Sequence, residues 1–352
     1  MAYSRHLSVD DLAAAISISF SNLGAHDPDN ALAGFAGAAA SFEGLLAPLD
    51  TAAHALPYLH DLTRAFGDPE ILGRNIQEVA EFLRSVHTAG VATALGHIAA
   101  RTQGGDFQSH ATFAAATGAI GQGAEQVTVA TLNYDGLIHA CFLDQLGTSA
   151  LCDLAGGWGH QSFEVVEGGT NLWGLPLRNR ADFPTGRRIR LLQLHGSLGW
   201  LRHLDSGEVW SFDIDALRDC HYWEALMIGK TSWMPVVVLT SADRKGELVS
   251  KYPFKLACGA AERALVDADR WLIAGYGFGD EPVNAMLKNA ADRRKRLDLR
   301  APKVLVVDFN RDVDVLRRIA ENITGFGAGN VAVSVAGVPT ACVSQEWQDW
   351  SA

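Results

Sequence analysis

The sequence predicts an α/β protein with an open parallel sheet, on three observations. Five short runs are rich in β-branched residues: QVTVATL (126–132), IRLLQL (189–194), PVVVLT (235–240), WLIAG (271–275) and KVLVVD (303–308). They are near-continuously apolar rather than alternating, the pattern of strands buried on both faces. Amphipathic helical stretches follow several of these runs. Directly behind each run comes a polar or glycine-rich string, which places such residues together at one edge of a parallel sheet.

The elements follow in chain order. The first 25 residues read as a helix that Ser8 or Asp10 caps, with Asp10 and Asp11 suited to its N-terminal dipole. After a loop, GAHDPDN, comes an Ala-rich stretch from Ala31 to Leu56. A helix is expected over Asn75–Arg101, because Asn75 and Glu78 have the capping-box offset and Ile76, Val79, Phe82 and Leu83 keep a helical period. Residues 255–269 carry Leu256, Ala257, Ala261, Leu265 and Ala268 at helical spacing. The next helix opens at Asp280, read as its N-cap, with Pro282 in the first turn. Its basic run, Arg293-Arg294-Lys295-Arg296, reads as a solvated face. VAVSV (331–335) is a last strand. The expected architecture is therefore a Rossmann-like open parallel sheet with helices on both faces, plus a mainly helical subdomain. The whole chain, 1–352, reads as one domain. Its core covers about 30–50 and 120–340, the helical subdomain about 51–120, and two long loop insertions 142–186 and 197–233. The insertions hold most of the tryptophans, read as core or interface anchors.

Composition bounds the function. Of 352 residues, 48% are hydrophobic and 20% charged, an ordinary globular balance. The net charge of −11 argues against holding bare nucleic acid through the overall field. No apolar run is long enough to span a bilayer. The first residues lack a signal-peptide pattern, so a cytoplasmic location is expected. Cys141, Cys152, Cys220, Cys258 and Cys342 are scattered and never form C-x-x-C, so free thiols are expected rather than disulfides or a Cys-rich zinc site. His160 and His203 have no evident second ligand, and no metal is expected.

The strings behind the strands carry the candidate chemistry. They are Asn133-Tyr134-Asp135-Gly136, His195-Gly196-Ser197, Ser241-Ala242-Asp243, Gly275-Tyr276-Gly277-Phe278-Gly279-Asp280 and Asp308-Phe309-Asn310. TLNYD (131–135) resembles the TQNID motif of sirtuins. LHGS (194–197) resembles the sirtuin HG motif with its catalytic histidine. IAGYGFGDEPVNAML (273–287) is similar to the GYSFGD-x-x-IN stretch of prokaryotic SIR2-like proteins, and VVDFNRD (306–312) to the strand whose Asn touches the adenosine ribose. The four motifs occur in family order from about 131 to 312, roughly half the chain.

The resemblance implies an NAD⁺-using site with Asn133 and His195 as catalytic residues. Asp135, Gly196, Gly275, Gly277, Phe278 and Asn310 would contact the dinucleotide; Asn310 also reads as the cap of the helix behind it. The family's opening GAGxS turn has its nearest counterpart in Gly37-Ala38-Ala39-Ala40-Ser41, where Ala39 stands for the middle glycine. Gly37 and Ser41 read either as that phosphate loop or as part of an Ala-rich helix. Between Gly196 and Pro235 the chain has only Cys220, so the four-cysteine zinc module of sirtuin deacylases is missing. That departure favours the SIR2-like NAD⁺ hydrolases of antiphage defence, with nicotinamide and ADP-ribose as products. A zinc-less deacylase and a non-catalytic NAD⁺ or ADP-ribose sensor stay open. Self-assembly into a homo-oligomer, or a separately encoded partner, is expected to control such an activity.

Overall fold

In a computed structural model, the chain is described over residues 42–66, 69–102, 111–155, 159–184, 186–239, 242–309 and 311–352. The expected helix at 1–25, Gly37, Ser41 and Asn310 lie outside these residues. Three helices come first: α1 (Phe42–Phe66), α2 (Pro69–Arg101) and α3 (Ala111–Gln122). α2 starts at Pro69, ahead of the expected Asn75. Proline suits a first helical turn, and Asn75 and Glu78 lie exposed within the helix rather than capping it.

The apolar stripe of α1 and α2 (Leu46, Leu49, Val86, Ala92, Leu95) packs in one cluster with Leu201, Trp210, Phe212, Trp223 and Trp233. The last group belongs to a five-stranded antiparallel sheet of order β3-β4-β7-β6-β8 and to the helix before β8. Its strands are β3 (Gln161–Glu164), β4 (Asn171–Pro176), β6 (Gly196–His203), β7 (Val209–Phe212) and β8 (Trp233–Val237). Between β7 and β8 lie α5 (Ile214–Asp219) and α6 (Tyr222–Met227). Much of the two expected loop insertions is thus regular structure. Two of the strands, β3 and β7, have four residues and are too short to show a period in sequence.

The remaining strands form two parallel sheets, in the orders β1-β5-β2 and β11-β10-β9. In the first, β1 (Val127–Thr131) pairs with β5 (Ile189–Gln193), from Val127 opposite Ile189 to Thr131 opposite Gln193; β2 (Leu151–Cys152) flanks β5. In the second, β10 (Lys303–Val307) lies between β9 (Arg270–Ala274) and β11 (Val331–Ser334). Helices α4 (Leu137–Leu146), α7 (Ala242–Val249), α8 (Phe254–Asp267), α9 (Glu281–Arg296) and α10 (Val313–Thr324) intervene. Two short helices, α11 (Val338–Ala341) and α12 (Gln345–Ser351), end the chain. The fold is mixed α/β; five of its parallel strands match the runs expected at 126–132, 189–194, 271–275, 303–308 and 331–335, whereas β2 lies in the segment expected as a loop insertion at 142–186.

The run at 235–240 is different. It was expected in the parallel sheet, but β8 pairs antiparallel with β6. β6 begins three residues after β5 ends and leads the chain into the other sheet, and β8 follows it there. An apolar run looks the same in either setting. The basic run on α9 also departs from expectation. Arg293, Lys295 and Arg296 are exposed, whereas Arg294 is buried. Its guanidinium donates to the carbonyls of Val266, Ala268 and Arg300 at 2.5–2.8 Å and pairs with Asp269 at 3.2 Å. A buried guanidinium persists only when its donors are used in this way.

Candidate functional site

The site is built where β1 and β5 end together. Leu194 N–H donates to the Thr131 carbonyl (2.9 Å), and Leu198 N–H to the Tyr134 carbonyl (2.9 Å). These bonds stitch 131–134 to 194–198 and set the asparagine string beside the histidine string. Tyr134 hydroxyl donates to the Val238 carbonyl (2.8 Å), tying in the end of β8. Asn133 is exposed, and its backbone N–H is held by Thr131 Oγ1 at 3.1 Å. Asp135 accepts from Leu137 N–H at 2.9 Å, at the start of α4. Burial raises its carboxyl above the usual carboxylate range, against the pull of that bond.

His195 is the joint between two sheets: β5 ends at Gln193 and β6 starts at Gly196. Its imidazole is only 4% exposed. Nε2 lies 3.3 Å from Asp280 Oδ2, and the same oxygen lies 3.1 Å from Lys245 Nζ. Burial, reinforced by Lys245 and opposed by Asp280, pushes the imidazole down to about 4. It is therefore neutral near pH 7 and able to accept a proton. Gly196 follows with φ +91°, and a Cβ there would stand 2.0 Å from the Val236 carbonyl oxygen. Only glycine fits this joint.

The string behind β9 is held by its own polar groups. Asp280 Oδ1 accepts from Val283 N–H (3.1 Å), so Asp280 caps α9 as expected while its second oxygen faces His195. Tyr276 hydroxyl donates to the Asp280 carbonyl (2.8 Å), and Asn284 Nδ2 donates to the Phe278 carbonyl (2.9 Å). Phe278 is buried with φ +57°, a left-handed conformation that costs energy for a bulky residue. Gly277 lies under Arg311, whose guanidinium would sit 3.1 Å from an added Cβ.

A cavity of about 1680 Å³ runs between β1 and β9, edge strands of the two parallel sheets, lined from Val127 to Asn133 on one side and from Arg270 to Tyr276 on the other. Of the residues expected in the site, Asn133, Asp135 and Gly275 line it. Leu194 also lines it, whereas His195, Gly196, Gly277 and Phe278 do not. Asp308, at the end of β10, adds a carboxylate to the wall. It is 4% exposed. Oδ1 accepts from Phe309 N–H at 2.7 Å, and Oδ2 lies 3.4 Å from Arg311 Nε without a hydrogen bond. Lys245 and Asp308 are functional candidates that sequence reasoning did not single out. Both stand in strings behind apolar runs, but nothing in their spacing joins Lys245 to Asp280.

Among the described residues, no group of three or more His, Cys, Asp or Glu could hold a metal ion, and no helix is long and apolar enough to cross a membrane. All five cysteines are free thiols. Comparison with known proteins gives no matching family model and no matching curated relative.

Proposed function

We propose that the chain is a SIR2-like NAD⁺ hydrolase with a Rossmann-like core. The observation that carries this reading is the convergence of Asn133, Asp135, Gly275 and Asp308 on a large cavity at the C-terminal ends of parallel strands, with His195 paired to Asp280 at the end of β5. Open α/β sheets bind nucleotides at that edge. The reaction breaks the bond between nicotinamide and ribose C1′. Water supplies the oxygen that bonds to C1′, nicotinamide leaves with the bonding electrons, and one proton is released. The transition state is oxocarbenium-like, so rate depends on orientation and on stabilising the developing positive charge.

In this reading Asn133, with its main chain fixed by Thr131, orients the attacking water or the ribose. Asp135, raised by burial, holds the nicotinamide carboxamide. His195, kept neutral, takes the proton from water or from a ribose hydroxyl. Asp308 Oδ2 has acceptor capacity left for a ribose hydroxyl, the role that acidic residues play at strand ends in dinucleotide folds. A contribution of about 10²–10⁴ to rate is ordinary for such a base, and His195→Ala should lose that much. NAD⁺ depletion suits a defence role under the control of self-assembly or a partner.

The test is incubation of purified protein with NAD⁺, alone and with an acyl-lysine peptide, with nicotinamide and ADP-ribose followed by chromatography. Release of both without peptide is expected. Release that requires the peptide would make the protein a deacylase. Binding without any release, at every protein concentration tried, would make it a sensor.

A further inference from the structure

Asp280 presents two oxygens to three partners. Oδ1 is committed to the N-terminus of α9 through Val283 N–H. Oδ2 is shared by His195 Nε2 at 3.3 Å and Lys245 Nζ at 3.1 Å. The His195 and Asp280 side chains are 5% and 7% exposed, and that of Lys245 14%. The lysine is brought there by α7, whose preceding residue, Arg244, reaches Asp50 on α1 at 2.5 Å. So α7 is tied to α1 on one side and to the cap of α9 on the other.

A buried carboxylate beside an imidazole ordinarily holds a proton on it, because the ion pair favours the charged ring. Here that carboxylate already has a cation. We propose that Lys245 is a positioning residue for His195, acting through Asp280: it occupies the oxygen that would otherwise fix a proton on the imidazole, and so leaves His195 as a base. Only the catalytic readout of this inference rests on the NAD⁺-cleavage reading.

The other groups around the carboxylate do not carry charge at neutral pH. Cys258, on α8, has its thiol pushed up to about 11 by burial and by Asp280. The Tyr276 hydroxyl is likewise raised, first by burial and then by Asp280, and donates to the Asp280 carbonyl and to Asn284 Oδ1. His195 itself is lowered by burial first, raised by Asp280 and lowered again by Lys245. Among the described residues, the charges that set its proton are therefore one carboxylate and one ammonium.

The experiment is an NMR titration of histidine ¹³Cε1 signals in the full chain, with His195 assigned by its loss in His195→Gln. Lys245→Met should move the His195 midpoint up by about one pH unit or more. Lys245→Arg should leave it near wild type. Asp280→Asn should keep the α9 cap, since Asn caps as well as Asp, and should move the midpoint down or leave it at the acid end. Opposite displacements at unchanged melting temperature support the proposal. An unmoved midpoint in Lys245→Met would overturn it, because a lysine that only braces the fold leaves the titration alone. If Lys245→Met does not fold, Lys245→Gln and Asp280→Asn still give the two signs.

NAD⁺ cleavage supplies the second readout. The acid limb of kcat/KM should move up with the NMR midpoint in Lys245→Met and return in Lys245→Arg. An NMR displacement in a protein that cleaves no NAD⁺ at any pH would leave the positioning role standing and remove the hydrolase reading. Cleavage whose acid limb ignores Lys245 would do the reverse.

Discussion

The antiparallel sheet and the parallel sheets use apolar strands to different ends. In the antiparallel sheet the strands serve packing. Phe163 meets Trp210, Phe212 and Trp233 edge to face at 4.6–6.0 Å, and Trp233 is 2% exposed with its indole N–H on the Glu164 carbonyl. His203 packs edge to face against Trp233 at 4.9 Å, a packing role rather than a chemical one. In the parallel sheets the strands end in side chains with work left over. Asn133 is exposed, Asp308 Oδ2 has no hydrogen bond, and His195 Nε2 faces a shared carboxylate. The difference follows from connection. In the antiparallel sheet the pairs β3–β4 and β6–β7 are each closed by a short turn. Parallel strands all end on one side and must cross over, so their ends gather there. His195 belongs to both regions, as the link from β5 to β6.

The largest expected effect tests whether chemistry resides only in the parallel half. Asn133→Ala should bring nicotinamide release to background with a melting temperature near wild type, since the side chain is exposed and contributes little to the core. A large fall in melting temperature would show that the strand end is structural as well. The joint comes next. Gly196→Ala places a Cβ against the Val236 carbonyl at positive φ, and the variant should yield little folded protein, judged by circular dichroism and gel filtration. Normal yield and stability would mean that the two sheets are not locked at this residue.

Trp233→Ala tests the packing half. Truncation of a buried Trp costs about 3–5 kcal/mol, read from urea unfolding. Activity per folded molecule should persist at low temperature, because Trp233 does not line the cavity. Parallel losses of stability and activity would erase the division.

The smallest effect lies at the β2 end of the parallel sheet. Burial raises the Asp153 carboxyl to about 7 from 3.8, against the pull of Arg178. The folded state then holds a proton that the unfolded chain has lost. Its destabilisation is absent below about pH 3.8, grows as pH rises and is complete above about pH 7. Asp153→Asn should therefore raise the melting temperature at pH 8 and hardly at all near pH 4. An equal gain at both would show that charge is not the cause.

Sequence reading located five of the parallel strands because runs such as VLVV (304–307) are apolar at every position. It located Asn133, His195 and Asp280 because each stands directly behind such a run. It missed the antiparallel sheet, whose strands QSFE and VWSF are only four residues long and too short to show a period. It placed Arg294 on the surface with its basic neighbours, because a charge run does not reveal which member finds three carbonyls.

By itself the sequence determined five of the parallel strands, several of the helices and which polar residues follow them, because those are properties of local pattern and chain order. Tertiary structure alone decided what those residues meet. The run at 235–240 joined the antiparallel sheet because β6 led the chain there. Asp280 became both a cap and the partner of His195 and Lys245. Whether a histidine behind a strand is a base, a strut or a cation depends on burial and on the charges that packing brings within about 4 Å, and packing joins residues that the chain keeps far apart.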